Sequence, residues 1–109
     1  MEPRVYKVLR AAEWRDAQAR GAVAGSADDL RDGFIHLSTE GQLQGTLARH
    51  FAGETGLVVL EIATDRLAAG LKWEASRDGA LFPHFYGVLP LDAVSRTMEA
   101  PTPTQAESG

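Results

Sequence analysis

The sequence predicts one small α+β domain, in which short strands alternate irregularly with short helices. A nearly continuous apolar run at residues 57–63 reads as a buried strand, and residues 11–21 and 39–52 carry helical patterns. Strands and helices without regular βαβ alternation are typical of the α+β class. We assign residues 1–100 to this domain. The remaining residues, 101–109, contain two prolines and little that is apolar, which predicts a disordered tail.

The beginning of the chain predicts a strand, a helix and a loop. Residues 4–10 alternate between two faces as a strand does, and residues 11–21 contain good helix formers ending at Gly21, a suitable C-terminal cap. Residues 22–33 are small, acidic and rich in glycine, which indicates a connecting loop with one helical turn at residues 27–30.

A second strand and a second helix follow directly. "FIHLS", residues 34–38, is the strand. Thr39 begins the helix, and Gln42 three residues later completes a capping box. Gly41 and Gly45 inside this helix cost stability relative to alanine, so we expect them to mark close packing.

Residues 57–63, "LVVLEIA", predict a central strand that is buried on both faces. After it we expect a short helix at residues 64–70 with Thr64 as its N-cap, and then a strand at residues 71–76.

The last part of the domain begins with a predicted turn at residues 77–79. Residues 80–89 then form a strand, which Pro83 should confine to a sheet edge or to the start of a strand because proline lacks an amide hydrogen. Residues 90–95 predict one helical turn, and residues 96–100 a last strand.

Composition limits the classes of function. The absence of cysteine excludes disulfides, a thiolate nucleophile and cysteine zinc sites. No apolar run approaches the roughly 20 residues that span a bilayer, so we expect a cytoplasmic protein without a membrane partner. The net charge is −4 and the 11 basic residues are scattered, which argues against nucleic acid. A few gathered arginines could still hold a small anionic molecule; the oligomeric state is not indicated.

Two polar residues interrupt the apolar second strand. In an extended segment His36 and Ser38 share one face with Phe34, while Ile35 and Leu37 share the other. The pair could line a ligand site. Alternatively, Ser38 satisfies the start of the next helix and His36 makes one structural hydrogen bond.

Two later segments place polar and aromatic side chains on common faces. In "KWE", Lys72 and Glu74 lie opposite Trp73; alone, this pattern favours an exposed ion pair around a core tryptophan, and with the other segments it fits a polar pocket. "FPHFY" puts an imidazole and a phenol on one face, and both need partners when buried. The side chains on that face are Phe82, His84 and Tyr86.

Motifs for other chemistry are absent from the sequence. The spacing of His36, His50 and His84 matches no metal-ligand motif, so we expect no metal site. Ser38 lacks the G-x-S-x-G context of a hydrolase nucleophile, and the chain has no glycine-rich phosphate loop.

Together, "DGFIHLSTEGQ", "LKWE" and "LFPHFYG" followed by "LPLDAV" resemble a known family, domain of unknown function 952, over residues 4–95. That family is similar in fold to the ADP-ribosyltransferases, whose split mixed sheet cradles NAD in a central cleft. The resemblance therefore implies an ADP-ribosyltransferase-like fold and NAD as a possible cofactor. The matching motif residues are Gly33, Phe34, His36, Ser38, Gln42, Trp73, Glu74, Phe82, Pro83, His84, Tyr86 and Gly87.

The resemblance also implies roles for residues. It gives Glu74 the catalytic role of stabilising a cationic ribosyl transition state through its charge. Relatives carry a histidine on the first strand where this chain has Lys7, which offers a point charge suited to phosphate rather than an acceptor nitrogen. The implied ligand-binding residues are His36, Ser38, His84, Tyr86, Lys7 and Trp73.

Three functions remain open from sequence. The chain could be a binding module whose cleft takes a nucleotide or another small anionic metabolite. It could be an NAD-dependent ADP-ribosyltransferase or NAD glycohydrolase, with Glu74 catalytic and His36, Ser38 and His84 positioning the substrate. Alternatively, the polar cluster could be structural, either knitting a small core or forming an interface.

Overall fold

Two three-stranded antiparallel sheets form the frame of the computed structural model, which describes residues 3–67, 69–76 and 79–100. The first sheet has the strand order β1-β4-β8 and the second β3-β6-β5, while β2 and β7 form a separate short pair. In chain order the strands are β1 (Arg4–Leu9), β2 (Ala22–Val23), β3 (Ile35–His36), β4 (Val58–Ala63), β5 (Leu71–Ala75), β6 (Leu81–Phe85), β7 (Leu89–Pro90) and β8 (Val94–Glu99).

Three α-helices connect these strands: α1 (Ala11–Arg20), α2 (Ala27–Asp32) and α3 (Glu40–His50). Gly21 ends α1 in the left-handed conformation, and Thr39 caps α3 in a box with Gln42, as predicted. Single 3-10 turns occupy Thr64–Arg66 and Leu91–Ala93. No helix in the described part of the chain is long and apolar enough to cross a membrane. The predicted tail at 101–109 and most of the predicted turn at 77–79 lie outside the described residues.

Strands β1 and β4 of the first sheet are buried on both faces, because they carry apolar residues at consecutive positions. Val5 and Leu60 belong to the main core, which also contains Leu89 of β7. Val8 and Val59 point the other way and pack against Leu47 of α3. Each such fully buried side chain contributes about 1.5–3 kcal/mol of transfer free energy. The prediction that residues 57–63 supply a central strand buried on both faces is therefore confirmed.

Leu37 and Ser38 form a short crossing segment that joins the two sheets, and Pro83 determines where the chain crosses. His36 pairs with His84 of β6, and Leu37 then donates a 3.0 Å hydrogen bond to the Pro83 carbonyl. In an antiparallel ladder the residue opposite Leu37 would also donate its amide to the Leu37 carbonyl, but proline has no amide hydrogen. Pairing with β6 therefore ends, and Ser38 instead exchanges two backbone hydrogen bonds, of 2.8 and 2.9 Å, with Tyr6 of β1.

The structure corrects the prediction for Pro83. Strand β6 is the central strand of the second sheet, and Pro83 lies in its middle rather than at an edge or at the strand start. The pairing of β6 with β5 does not need an amide hydrogen at Pro83, because the backbone polar groups of Pro83 face Leu37 and not β5.

The α+β class is confirmed, and further details differ from the predictions. Every strand pair in the described residues is antiparallel, so the expectation of a mixed sheet was wrong. Residues 22–33 contain β2 and the six-residue helix α2 instead of a loop with one turn, because Ser26 and Asp29 form a capping box. Thr64 is not an N-cap: Ala63 holds that position without a side-chain bond.

We predict opposite effects for alanine at two glycines. A Cβ at Gly45 would meet no atom within 4 Å, so this glycine does not mark close packing, and Gly45→Ala should stabilise the protein by up to about 1 kcal/mol. A Cβ at Gly70 would lie 2.6 Å from the Tyr86 carbonyl oxygen and 2.7 Å from the Phe85 ring. Gly70→Ala should therefore cost about 1–3 kcal/mol. Urea denaturation of both variants tests this, and equal midpoints would contradict it.

Candidate functional site

A cleft of about 710 Å³ lies where the crossing segment leaves one sheet for the other. Strand β1, helices α2 and α3, and the second sheet all contribute to its lining. All three histidines of the chain, His36, His50 and His84, line it. Its volume is within the range of about 300–1,000 Å³ that is common for small-molecule sites.

A buried ion pair forms the floor of the cleft. The ammonium nitrogen of Lys7 lies 2.8 Å from Oδ2 of Asp29, and the two side chains are only 6% and 2% exposed. Lys7 also donates to the His36 carbonyl at 3.2 Å. Burial alone would raise the pKa of Asp29, but the hydrogen bond with His36 and the charge of Lys7 outweigh it. The pKa of Asp29 is therefore well below its usual range, and the carboxylate is ionised.

Asp29 also orients His36. Its Oδ1 accepts the His36 backbone amide at 3.1 Å and lies 2.6 Å from the ring nitrogen Nδ1. Because Asp29 is ionised, Nδ1 is the donor in this bond. The second ring nitrogen, Nε2, lies 3.0 Å from Oδ2 of Asp32 at the end of α2. Both nitrogens of His36 thus face carboxylates.

The ring of His36 and three others gather together because the strand register places them on one face. His36 lies directly opposite His84, and their ring centroids are 5.5 Å apart. Phe34 stacks on His84 at 4.0 Å and contacts His36 at 4.6 Å and Tyr86 at 5.3 Å. Ile35 and Leu37 point into the core, as the alternation of this segment predicts.

Glu74 on β5 holds two of these rings from behind. A single oxygen, Oε1, lies 2.7 Å from Nδ1 of His84 and accepts the Tyr86 hydroxyl at 2.8 Å. The hydrogen bond with His84, followed by that with Tyr86, lowers the pKa of Glu74. The same bond to Glu74 raises the pKa of Tyr86. Glu74 is therefore an ionised acceptor that fixes the imidazole and the phenol.

Two hydroxyl groups also line the cleft. Ser38 Oγ and Thr46 Oγ1 of α3 are 2.7 Å apart, and both residues line the cleft. Ser38 does not cap α3, because Thr39 performs that function. The pair presents hydroxyl donors and acceptors beside the rings.

The charges that line the cleft are balanced. Arg10 is held by both oxygens of Glu54, at 2.8 and 3.0 Å, and its guanidinium lies over the Phe51 ring. Arg31 pairs with Asp28 and Asp32. The basic lining residues are Lys7, Arg10, Arg31 and Arg49, and the acidic ones are Glu13, Asp28, Asp29 and Asp32. The described residues contain no group of three or more acidic or histidine side chains arranged to hold a metal ion.

Only some of the site residues predicted from sequence line the cleft. His36, Ser38, His84 and Lys7 line the cleft. Tyr86 and the predicted catalytic Glu74 lie behind its lining, in contact with His84 or Phe34. Trp73 points to the opposite face of β5 and packs against the main core.

Sequence reasoning missed Asp29, which accepts hydrogen bonds from Lys7, Ser26 and His36 and so organises the site. The signal that could have found it is "SADD", residues 26–29, in which a serine precedes an acidic residue by three positions, as in a capping box. Thr46, the partner of Ser38, carried no comparable signal.

The fold and cleft define a small α+β protein with a polar, ring-lined pocket between two antiparallel sheets. Residues 8–97 match the family described as protein of unknown function DUF952, and the chain belongs to this family. The crystal structure of protein CC0527 from Caulobacter crescentus is 49% identical, covers 88% of this chain and 84% of its own, and has a TM-score of 0.84. The solution NMR structure of CC0527 is 48% identical, covers 89% and 84%, and has a TM-score of 0.80. No curated protein matches the chain.

We predict that Asp29→Asn destabilises the protein by about 3–5 kcal/mol, because it leaves the Lys7 ammonium buried without a counter-charge. Replacing both partners, as in Lys7→Met with Asp29→Leu, should cost less than Asp29→Asn alone. Urea denaturation at pH 7 measures both effects. An Asp29→Asn variant as stable as the wild type would show that the pair is dispensable.

The same pair predicts a pH dependence. The folded pKa of Asp29 is below the unfolded value of about 3.9, so its stabilisation is fully present above that pH. The stabilisation should be lost as the pH falls below about 4. Comparing urea midpoints of the wild type and Asp29→Asn at pH 7 and pH 3 tests this. The difference between them should narrow at the lower pH.

Proposed function

We propose that the cleft binds a nucleotide or a similar small anionic metabolite that carries an aromatic ring. The observation that supports this most directly is the ring cluster of Phe34, His36 and His84 at the wall of a 710 Å³ cleft. Base-like rings stack on aromatic side chains with about 1–3 kcal/mol each. The hydroxyls of Ser38 and Thr46, which also line the cleft, suit the hydroxyls of a ribose.

Within this proposal the ligand is NAD-like and the fold belongs with the ADP-ribosyltransferases. The division into two sheets around a cleft supports this, as does the resemblance carried by the three sequence motifs. Lys7 already donates to Asp29 and to the His36 carbonyl, so one ammonium proton remains for a phosphate oxygen. The protein would function in the cytoplasm, where such metabolites occur.

We predict that ligand-observed NMR shows saturable binding of NAD and ADP-ribose to the wild type. His36→Ala and Phe34→Leu should weaken this binding about tenfold, because a lost stacking contact of about 1.4 kcal/mol corresponds to that factor. Leu30→Ala, at a position that is 70% exposed on α2, is the control and should bind as the wild type does. Flat titrations across a nucleotide panel would remove the proposal and leave the cluster a structural role.

A second candidate function is ADP-ribosyl transfer from NAD, or its hydrolysis. The ionised state of Glu74 favours this candidate, because its charge lies directly behind a cleft-lining ring. Cleavage of the bond to nicotinamide builds positive charge on the ribose, and a fixed carboxylate stabilises that charge. His36, Ser38 and His84 would position the substrate.

For this second candidate we predict slow release of nicotinamide from NAD by the wild type. Glu74→Gln should abolish the release while keeping the size of the side chain. The free nicotinamide signal in NMR spectra recorded over hours measures the reaction. Binding without release would leave the protein a binding module, and a fully active Glu74→Gln would exclude the catalytic role of Glu74.

A further inference from the structure

His84 is held so that one ring nitrogen is occupied and the other is available. Its Nδ1 lies 2.7 Å from the ionised Glu74 and therefore donates to it. In the part of the chain that the structure describes, Nε2 of His84 has no hydrogen-bond partner. The side chain is only 10% exposed and lines the cleft. A buried imidazole nitrogen with an unused lone pair is unfavourable unless something in the cleft uses it.

His36 offers a comparison within the same cleft. Its Nδ1 also meets an ionised carboxylate, that of Asp29, but its Nε2 lies 3.0 Å from Asp32. Both nitrogens of His36 are therefore occupied, although its side chain is 39% exposed. The two imidazoles have equivalent supports at Nδ1 and differ at Nε2.

The support of His84 is rigid. Phe34 covers one face of the ring at an interplanar angle of 23°, which fixes its plane. The Tyr86 hydroxyl donates to the same Glu74 oxygen that His84 uses, which holds that oxygen in place. A carboxylate on Nδ1 selects the tautomer with the proton on Nδ1 and stabilises the imidazolium that forms when Nε2 takes a proton.

We propose that His84 is a general base, and that Glu74 is its positioning residue. The proton of a hydroxyl group of the bound ligand, or of a water beside it, binds to the lone pair of Nε2. Both electrons of the broken O–H bond stay on the oxygen, which becomes the nucleophile. The role rests on the proposed function for its ligand, since it needs a bound molecule that brings a hydroxyl or an electrophile to this nitrogen. Glu74 then acts on the cleft through the imidazole.

The first experiment locates the protons without any ligand. Long-range ¹H–¹⁵N correlation spectra at pH 8.5 should show His84 with its proton on Nδ1. Glu74→Met removes the acceptor and should shift the proton to Nε2. Tyr86→Phe is the matched control: it removes the other donor to Glu74 but leaves the acceptor of His84, so the tautomer should persist. A wild-type His84 protonated on Nε2 would overturn the proposal, whether or not Glu74→Met folds.

The second experiment measures the reactivity of Nε2 with diethyl pyrocarbonate as the probe, at the same pH. Mass spectrometry of peptides should show that His84 is acylated faster than His36, despite its lower exposure. Glu74→Met should slow the acylation of His84 about tenfold, which corresponds to a hydrogen bond of about 1.4 kcal/mol to a charged group. Tyr86→Phe should react as the wild type does. Faster acylation of His36 than of His84 would contradict the proposal.

A third measurement separates this proposal from the proposed ligand. ADP-ribose should protect His84 from acylation and shift its Nε2 resonance. If ADP-ribose binds without either effect, the general base is wrong and the binding function stands. If neither NAD nor ADP-ribose binds while the tautomer and the acylation behave as expected, the ligand class is wrong and the base stands.

Discussion

The ion pair between Lys7 and Asp29 is the interaction on which the site depends. It joins β1 of the first sheet to α2, and through the His36 amide and ring it joins both to the second sheet. Burying two charges is costly, and the cost is offset only when their remaining hydrogen-bonding capacity is satisfied. Here Asp29 accepts from Lys7, from Ser26 and twice from His36. The pair therefore determines the geometry of the cleft floor more than it adds to net stability.

The carboxylates of Asp29, Asp32 and Glu74 determine which ring nitrogens in the cleft are already hydrogen-bonded. Asp29 and Asp32 both serve His36, which leaves that imidazole no free nitrogen. Glu74 serves both His84 and Tyr86, which fixes two rings with one oxygen. Three of the lining cations, Lys7, Arg10 and Arg31, are likewise paired with nearby acids. The lining thus has equal numbers of acidic and basic side chains, and a ligand meets ring surfaces, hydroxyls and the remaining ammonium proton of Lys7.

Much of the fold was predictable because it is encoded locally. The Thr39 capping box, the glycine after α1 and the apolar run of β4 all act within a few residues. The shared face of Phe34 and His36 likewise follows from the alternation of an extended chain. These features need no knowledge of distant partners.

What sequence reasoning missed depends on contacts between distant residues. Asp29 and Lys7 are 22 positions apart, and the capping-box pattern at residues 26–29 indicates a helix start without indicating a partner for Asp29 on the first strand. Trp73 and Glu74 are adjacent, yet only the pairing of β5 with β6 decides which of them approaches the cleft. The expected edge position of Pro83 was wrong. The rule that proline avoids central strands considers only the hydrogen bond that proline cannot donate. It does not consider that a neighbouring segment can leave the sheet at that position.

The position of Pro83 makes the division between the two sheets a property of the backbone. With an ordinary residue there, the amide could return the bond from Leu37, and the second sheet would extend along the segment that now turns toward Tyr6. The two sheets would then compete for the same stretch of chain. The missing amide hydrogen of Pro83 thus leaves the backbone of Ser38 for β1, so that neighbouring residues of one short segment bond to different sheets.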